Sequence, residues 1–576
     1  MALLILALKV RTLYGWRTEV AHRSLLEASI LLLAALGTGA GGDPRDGHPG
    51  AGPGPAPSAA PLAPLFDDLG SHHHAVTTKS DGAQKYFDQG LRLVYGFNHE
   101  EAERSFREAA RLDPACAMAF WGVALSLGPN INLPIDASRN RSAYGAIQKA
   151  LSLASQVTEP EAAYIKALSL RYSIDPGADR GALDRSYAGA MREVSRRYAD
   201  DLDAATLFAE SLMDLRPWHL WTLDGKPEEG TEEIVSVLES VLRRSPNHPG
   251  ANHYYIHAVE ASPHPERALA SARRLESLMP GAGHLVHMPA HVYMRTGDYA
   301  GAVKANRLAA GVDERYIRTH DIRGLYPVMY YDHNLHFLAL AAAMAGNSKA
   351  AREAALRLVE DAAPAVRDMP MAEYFMPTAL YVALRFQRWD DVLRYPEPDA
   401  SLQTTHALWH YARGVSYAAR RDQSSALQEQ KAFAAERDRI PAEAAFNLNL
   451  CKDVLAVASA VLEARMASAR GDRTLALEAW TKAAAAQDRL AYDEPPIWYY
   501  PVRESLGGEL LRAGRAREAG TVFRDDLDRN PKNGRSLFGL WQSLLAGKKT
   551  REAQAARREF EAAWANADVL LRVEDL

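Results

Sequence analysis

A small residue returns every 34 positions along much of this chain. Ala268 and Ala302 keep that spacing, with Ile234 at the same register one repeat earlier, and so do Ala519 and Ala553. A proline stands twelve residues after such a position: Pro114 after Ala102, Pro246 after Ile234, Pro280 after Ala268 and Pro531 after Ala519. Turn signals fall at Gly297-Asp298-Tyr299, Gly346-Asn347-Ser348, Gly471-Asp472-Arg473 and Gly514-Arg515-Ala516. Each separates two stretches whose apolar residues recur with helical period. The unit is therefore a pair of helices. The small residue lets one helix approach the other, and the proline, unable to continue a helix, sets up the next pair. A single pair cannot bury its apolar face alone, so pairs must stack on one another. Strand signals are weak throughout. The fold predicted is all-α, a right-handed solenoid of about ten to twelve helical hairpins over residues 71–576.

The stretch GLRLVYGFNHEEAERSFREAARLDP (Gly90–Pro114) places Ala102, Phe106, Ala109 and Pro114 at the offsets of the tetratricopeptide repeat. Insertions break the register near 129–140, 217–230, 313–327 and 366–378, and these are read as lids over the concave groove. Before the repeats the chain changes character. Leu25–Ala40 is an apolar run preceded by Arg17, His22 and Arg23 and closed by Thr38-Gly39-Ala40. That is the pattern of a secretory signal peptide, too short to favour a transmembrane helix. Residues 1–40 are thus read as a signal-peptide-like segment, and 41–70, rich in Gly, Pro and Ala, as a linker. Residues 1–19 fit no signal n-region, so translation is expected to start downstream, for example at Val20. An uncleaved apolar anchor is the alternative. The location expected is exported, periplasmic or secreted, with no integral membrane domain after processing.

Composition narrows the function. With 47% apolar and 24% charged residues the chain is neither disordered throughout nor a multi-span membrane protein. A net charge of -5 gives no basic excess, so no nucleic-acid partner is expected. Two cysteines, Cys116 and Cys451, make no disulfide framework, and no CxxC occurs. GxSxG, P-loop, GxGxxG and HExxH signatures are absent. Nineteen histidines against two cysteines is the unusual ratio.

Those histidines fall into register. When the small residue is numbered 20 in each repeat, His253 and His257 take positions 5 and 9, and His287 and His291 take the same positions one repeat later. His284 and His333 take position 2, His336 position 5 and Glu260 position 12. Glu210 takes position 9 of the preceding unit, with Ala199 standing where the proline would. Residues three or four apart share one face of a helix, here the face that lines the groove. Neighbouring helices pack about 8–10 Å apart, a gap that imidazoles can bridge. His253, His257, His284, His287, His291, His333 and His336 are therefore the candidate metal ligands, at residues 250–340. All-nitrogen and oxygen ligation points to Zn, Cu, Fe or Ni, and the surplus of ligands leaves room for two ions or for an open catalytic position. Glu210 and Glu260 are candidate ligands or general bases.

Other features carry blander readings. Tyr254, Tyr255, Tyr293, Tyr330 and Tyr331 surround the cluster as helix-packing aromatics, with substrate positioning as the alternative, while Asn252 and Asn334 flank ligands as candidate outer partners. Tyr95 and Phe97 read as core. His72-His73-His74 reads as a solvated polar tract, and His406 and His410 fall off the groove stripe and read as structural. Asp493–Pro501 reads as opening a helix and packing the solenoid end.

YFDQGLRLVYGFNHEEAERSFREAARLDPACAMAFWG, HPGANHYYIHAVEASPHPERAL, MPGAGHLVHMPAHVYMRTGDY, YDHNLHF and YDEPPIWYYPVRESLG together resemble a family of bacterial exported tetratricopeptide-repeat proteins. The likeness spans most of residues 70–576, with HYYIH and GHLVHMPAH its most particular motifs. It implies the solenoid fold and an exported location, and it supplies no activity. Two function classes follow. One is a metalloprotein, with a metal-dependent oxidoreductase or hydrolase acting on a small or peptide substrate as its catalytic form. The other is a non-catalytic scaffold whose groove binds a protein or peptide partner.

Overall fold

The computed structural model describes residues 60–576, so the signal-like segment and most of the linker lie outside the described residues. The described chain is helical almost throughout, and its strands are the two-residue pair Ala445–Phe446 and Asn449–Leu450. Twelve helical hairpins follow one another, from Asp81–Tyr95 with His99–Leu112 to Gly534–Ala546 with Thr550–Ala563. The tetratricopeptide-like solenoid read from the 34-residue spacing is the fold observed.

The turn signals do what their chemistry requires. Gly297, Gly346 and Gly471 end a helix at positive φ, where a side chain would be strained. The following Asp298, Asn347 and Asp472 then cap the next helix by accepting from the backbone N–H groups of Gly301, Ala350 and Leu475. Within a hairpin, Ala102, Phe106 and Ala109 form the buried face of His99–Leu112. The Phe106 ring is held between Gly90 and Gly122, where an added Cβ would stand 2.7 and 2.3 Å from it.

Two contacts bend the early hairpins into a closed arrangement. Tyr95, at the end of the first helix, lies over Gly250 at the start of Pro249–Val259, where an added Cβ would meet its ring at 2.4 Å. Tyr316 donates to Glu101 across 215 residues. The later hairpins return to the middle of the chain. The buried Arg385 guanidinium binds Glu504 at 2.7 Å, and Tyr299 donates to the Pro531 carbonyl.

The last residues of the linker segment are packed. Ala63 and Leu69 are buried, the Tyr86 hydroxyl donates to the Ala63 carbonyl, and Gly281 N–H donates to the Asp68 carbonyl. The expected lids also differ in kind. The 313–327 stretch is helical up to His320, as part of Tyr299–His320. The 217–230 stretch is a true loop that bends over Pro249–Val259, where Trp221 donates to the Ala258 carbonyl.

Because Phe106 fills a slot between two hairpins, Phe106→Ala should cost about 3–5 kcal/mol through lost burial and the cavity left behind. Chemical denaturation of the variant beside the parent checks this; a loss below about 1 kcal/mol would mean that the slot collapses.

Candidate metal centre

Six of the seven predicted histidines meet in two sets of three. His253 and His257, one turn apart on Pro249–Val259, meet His284 from Gly283–His287. His253 Nε2 lies 3.1 Å from His257 Nε2 and 3.1 Å from His284 Nε2. His287 and His291 straddle the helix break at Met288-Pro289, and their Nε2 atoms are 2.7 Å apart. His333, at the start of Asp332–Met344 and just after the π-helical turn Pro327–Tyr331, completes the second set. Within each set the ligand atoms lie within 4.8 Å of one another.

The partition follows helix geometry. Residues four apart differ by about 40° around the axis and share a set; residues three apart diverge by about 60° the other way and part company. So His253 and His257 stay together, as do His287 and His291, whereas His284 and His287 go to different sets. His336 obeys the same rule and, contrary to expectation, leaves the cluster. Its ring turns to Tyr374 and Phe375, and burial alone pushes its pKa down to about 3.

The outer nitrogens decide the chemistry. His253 Nδ1 lies 2.7 Å from the Tyr95 carbonyl, which can only accept. His287 Nδ1 lies 2.6 Å from Asn306 Oδ1, and the Asn306 amide nitrogen is turned away to donate to the Ala302 carbonyl. Glu260 takes His257 Nδ1 on one oxygen at 2.7 Å and His291 Nδ1 on the other at 2.6 Å. Each of these four imidazoles therefore carries a proton on Nδ1, and His253, His257 and His287 present a bare Nε2 lone pair inward. The lone pairs of His253 and His257 face each other, whereas that of His287 faces the Nε2 of His291. Burial and the neighbouring imidazoles hold His253, His284, His287 and His333 well below the usual histidine pKa, so they are neutral. Burial works to lower His291 as well, but Glu494 and Glu260 outweigh it and raise its pKa to about 10.

The surroundings are aromatic and close. The Phe97 ring lies 4.5 Å from His253 and 5.5 Å from His284, and the Phe337 ring 4.8 Å from His287 and 4.7 Å from His291. Trp218 stands edge-on to His257. Tyr492 donates to Glu260, and Glu494 reaches the His291 Nδ1. These groups cover the stripe, so His253 and His287 are 0% exposed and lie in a closed core. A cavity of about 20 Å³ lined by Met213, Trp218, His257, Glu260 and Tyr492 remains beside the first set, enough for a water molecule.

Some expectations fall elsewhere. Glu210 is buried but outside both sets. It sits by Asp214 and the Arg171 guanidinium, and burial, then Asp214, raises its pKa well above the carboxylate range. Tyr255, Tyr293 and Tyr331 turn outward to donate to Glu239, Glu276 and Glu314, while Tyr330 packs on His284. Asn252 and Asn334 donate to His248 and Pro246 carbonyls and to Asp313, not to ligands. Tyr95 and Phe97, read as core, hold and cover the first set. Asp493–Pro501 leads into Val502–Arg512 with Pro501 at its N-cap, packs Trp498, Tyr499 and Tyr500 into the core, and also delivers Glu494. His406 and His410 pair with Glu397 and Glu429, as structural residues do. Asn306, Tyr492 and Glu494 escaped the sequence reading; the one signal available was an acidic pair, Asp493-Glu494, inside an apolar aromatic run.

A third histidine group has the opposite logic. Asp203 accepts from His72 Nε2 at 2.9 Å, His74 Nδ1 at 2.8 Å, His248 Nε2 at 3.1 Å and the Tyr95 hydroxyl at 2.5 Å. His248 accepts the Ala251 N–H on Nδ1, so its Nε2 carries the proton. Here His72, His74 and His248 each give one proton to the same carboxylate, so N–H groups converge and not lone pairs. The tract read as solvated is thus a latch that ties residues 72–74 to Leu202–Met213.

No protein-family model matches this chain, and no curated protein matches it in sequence. Among solved structures the chain is similar to human IFIT1, a dimer with m7Gppp-AAAA, at 13% identity and a TM-score of 0.32 over 85% of this chain and 91% of that one. It is also similar to yeast Tom70, at 10% identity and a TM-score of 0.30 over 83% of this chain and 96% of that one.

The latch makes a pH prediction. Burial lowers His74, but the hydrogen bond and charge of Asp203, with the charges of Asp201 and Asp88, together outweigh this and raise its pKa above the usual value. A raised folded pKa gives stability that is full below about 6.5 and is lost as pH rises through the folded value. The melting temperature should therefore fall as pH rises above about 6.5, and Asp203→Asn should flatten that part of the profile. An unchanged slope in the variant would show that His74 does not hold the latch.

Proposed function

We propose that this protein is an exported metalloprotein of the tetratricopeptide-repeat type, with transition-metal ions held by His253, His257 and His284 and by His287, His291 and His333. The observation that carries the reading is the convergence of the bare Nε2 lone pairs of His253 and His257 at 3.1 Å in a buried core, with four further imidazoles beside them. Two lone pairs facing at that distance repel unless a cation or a proton lies between them. Burial holds His253 and His257 neutral, which disfavours the proton between them. A metal about 2.0 Å from each of two nitrogens sets them about 3.3 Å apart at the tetrahedral angle, close to the spacing of the first set. Outer partners on four of the six imidazoles complete the pattern of a metal site.

The covered core favours a reactant of the size of water or another small molecule over a groove-bound peptide, because Phe97, Trp218 and Tyr492 occupy the space above the stripe. No described helix is long and apolar enough to cross a membrane. The resemblance of the HYYIH and GHLVHMPAH blocks supports an exported location. A protein-docking role for the outer hairpin surfaces is the second reading, supported by the fold, and it does not need the histidines.

Metal content of untagged protein by mass spectrometry tests the proposal. The parent should carry near-stoichiometric metal and His253→Ala/His287→Ala should carry almost none. Asn306→Ala should weaken metal binding about 10–100-fold while leaving the ligands in place. A parent that stays metal-free after incubation with Zn, Cu, Fe and Ni would leave the docking role as the reading.

A further inference from the structure

The long helix Tyr299–His320 stands behind the histidine sets, and we propose that Asp313 on it is a positioning residue that fixes His284 of one set and His333 of the other relative to each other. This rests on the metal reading above and names the part of the fold that controls the geometry of that site.

The helix comes close because its buried face consists of Tyr299, four alanines and two polar residues, Asn306 and Asp313. The two polar residues are seven apart, about 20° short of two full turns, so they stand above one another on the same side. Both are 0% exposed. Asn306 meets a ligand directly, at His287 Nδ1. Asp313 acts one residue away from two others. Gly283 precedes His284, and an added Cβ there would stand 1.9 Å from Asp313 Oδ1. The Gly283 backbone is not in the left-handed region, so glycine is needed at that position for room. Asn334 follows His333, and its amide donates to Asp313 Oδ2 at 2.7 Å. The Tyr326 hydroxyl donates to Oδ1 at 2.8 Å.

Tyr326 and Asn334 flank the π-helical turn Pro327–Tyr331 that leads into His333. One carboxylate therefore grips that turn on both sides. Turns of this kind are rare, and the extra residue rotates every side chain beyond it, so holding both ends fixes the aim of His333. The same carboxylate is the wall against which Gly283 rests, and it sets where the short helix Gly283–His287 begins. In a close-packed interior a shift of that wall is passed on to the ring beside it. His284 and His333 thus take their separation from a group that touches neither ion.

Two readouts on the full chain test this. One is zinc affinity by competition with a chromophoric chelator. The other is the visible spectrum of the cobalt(II)-loaded protein, which reports coordination geometry. Asp313→Ala should weaken zinc binding about 10-fold and alter the cobalt bands. Asp313→Asn keeps the volume and one acceptor, so it should do both to a smaller extent, and it decides the point if the alanine variant does not fold. Gly283→Ala should weaken zinc binding in the parent, where the new methyl meets the carboxylate, and have little effect in Asp313→Ala, where the space is free. Glu314→Gln, one residue along the same helix, neutralises the outward partner of Tyr331 and should leave both readouts as in the parent. Folded Asp313 variants with parental zinc affinity and cobalt bands would overturn the proposal, even with a lowered melting temperature of the metal-free protein, because a merely structural carboxylate would behave that way. Additive effects at 283 and 313, or a Glu314→Gln loss equal to that of Asp313→Asn, would overturn it too. A parent that binds neither zinc nor cobalt would instead remove the metal reading itself, and this proposal with it.

Discussion

Burying six imidazoles side by side requires that every proton on them be placed, and the rest of the structure serves that constraint. A buried polar nitrogen without a partner costs about 1–3 kcal/mol. Four of the six outer nitrogens have one, drawn from distant parts of the chain: a backbone carbonyl at Tyr95, an amide at Asn306, and a carboxylate at Glu260 that serves two rings. The closing of the early hairpins through Tyr95 and Gly250 is what brings the first of these to His253. The same tyrosine uses its hydroxyl on Asp203, so the histidine latch and the centre are joined through one residue. The fold and the site are one piece of packing.

The solenoid was legible because its signal is periodic. Spacings of 34, a proline twelve residues on and glycine-led turns together specify hairpins, and Asp298, Asn347 and Asp472 cap the helices that follow them. The ligands were legible for the same reason: repeats put His253 and His287 at one register position, and a stack of repeats puts equal positions side by side. The error at His336 shows the limit of register. Position in a repeat does not record a break at Pro289 or a π-helical turn at Pro327–Tyr331, and both alter how the rings are presented. Periodicity places a residue on a face; the three-against-four rule then decides which neighbour it meets.

What stayed hidden is what arrives from elsewhere. Glu494 and Tyr492 lie more than 200 residues from His257 and Glu260 in sequence, and no repeat pattern predicts that a loop from the tenth hairpin reaches the fifth. Asn306 sits in the second helix of its hairpin, off the stripe that was scanned. Phe97 looked like ordinary core, and it is core; its second role, covering the first set, depends on what lies under its ring. Aromatic residues read alike from sequence whether they cover leucine or histidine.

The contrast between Asp203 and the two sets shows why residue type alone does not define a metal site. Both groups gather histidines and carboxylates within a few ångströms. Around Asp203 the carboxylate is the focus, and each nitrogen aims an N–H at it, so charge and protons are already matched and burial lowers the demand for any further ion. In the two sets the carboxylates sit behind the rings, the Nδ1–H groups of four rings point backward, and the Nε2 atoms face one another. The direction of the protons separates the two kinds of cluster, and it is set by what stands behind each ring: the Tyr95 carbonyl, Asn306 and Glu260 in one case, the Ala251 N–H on His248 in the other.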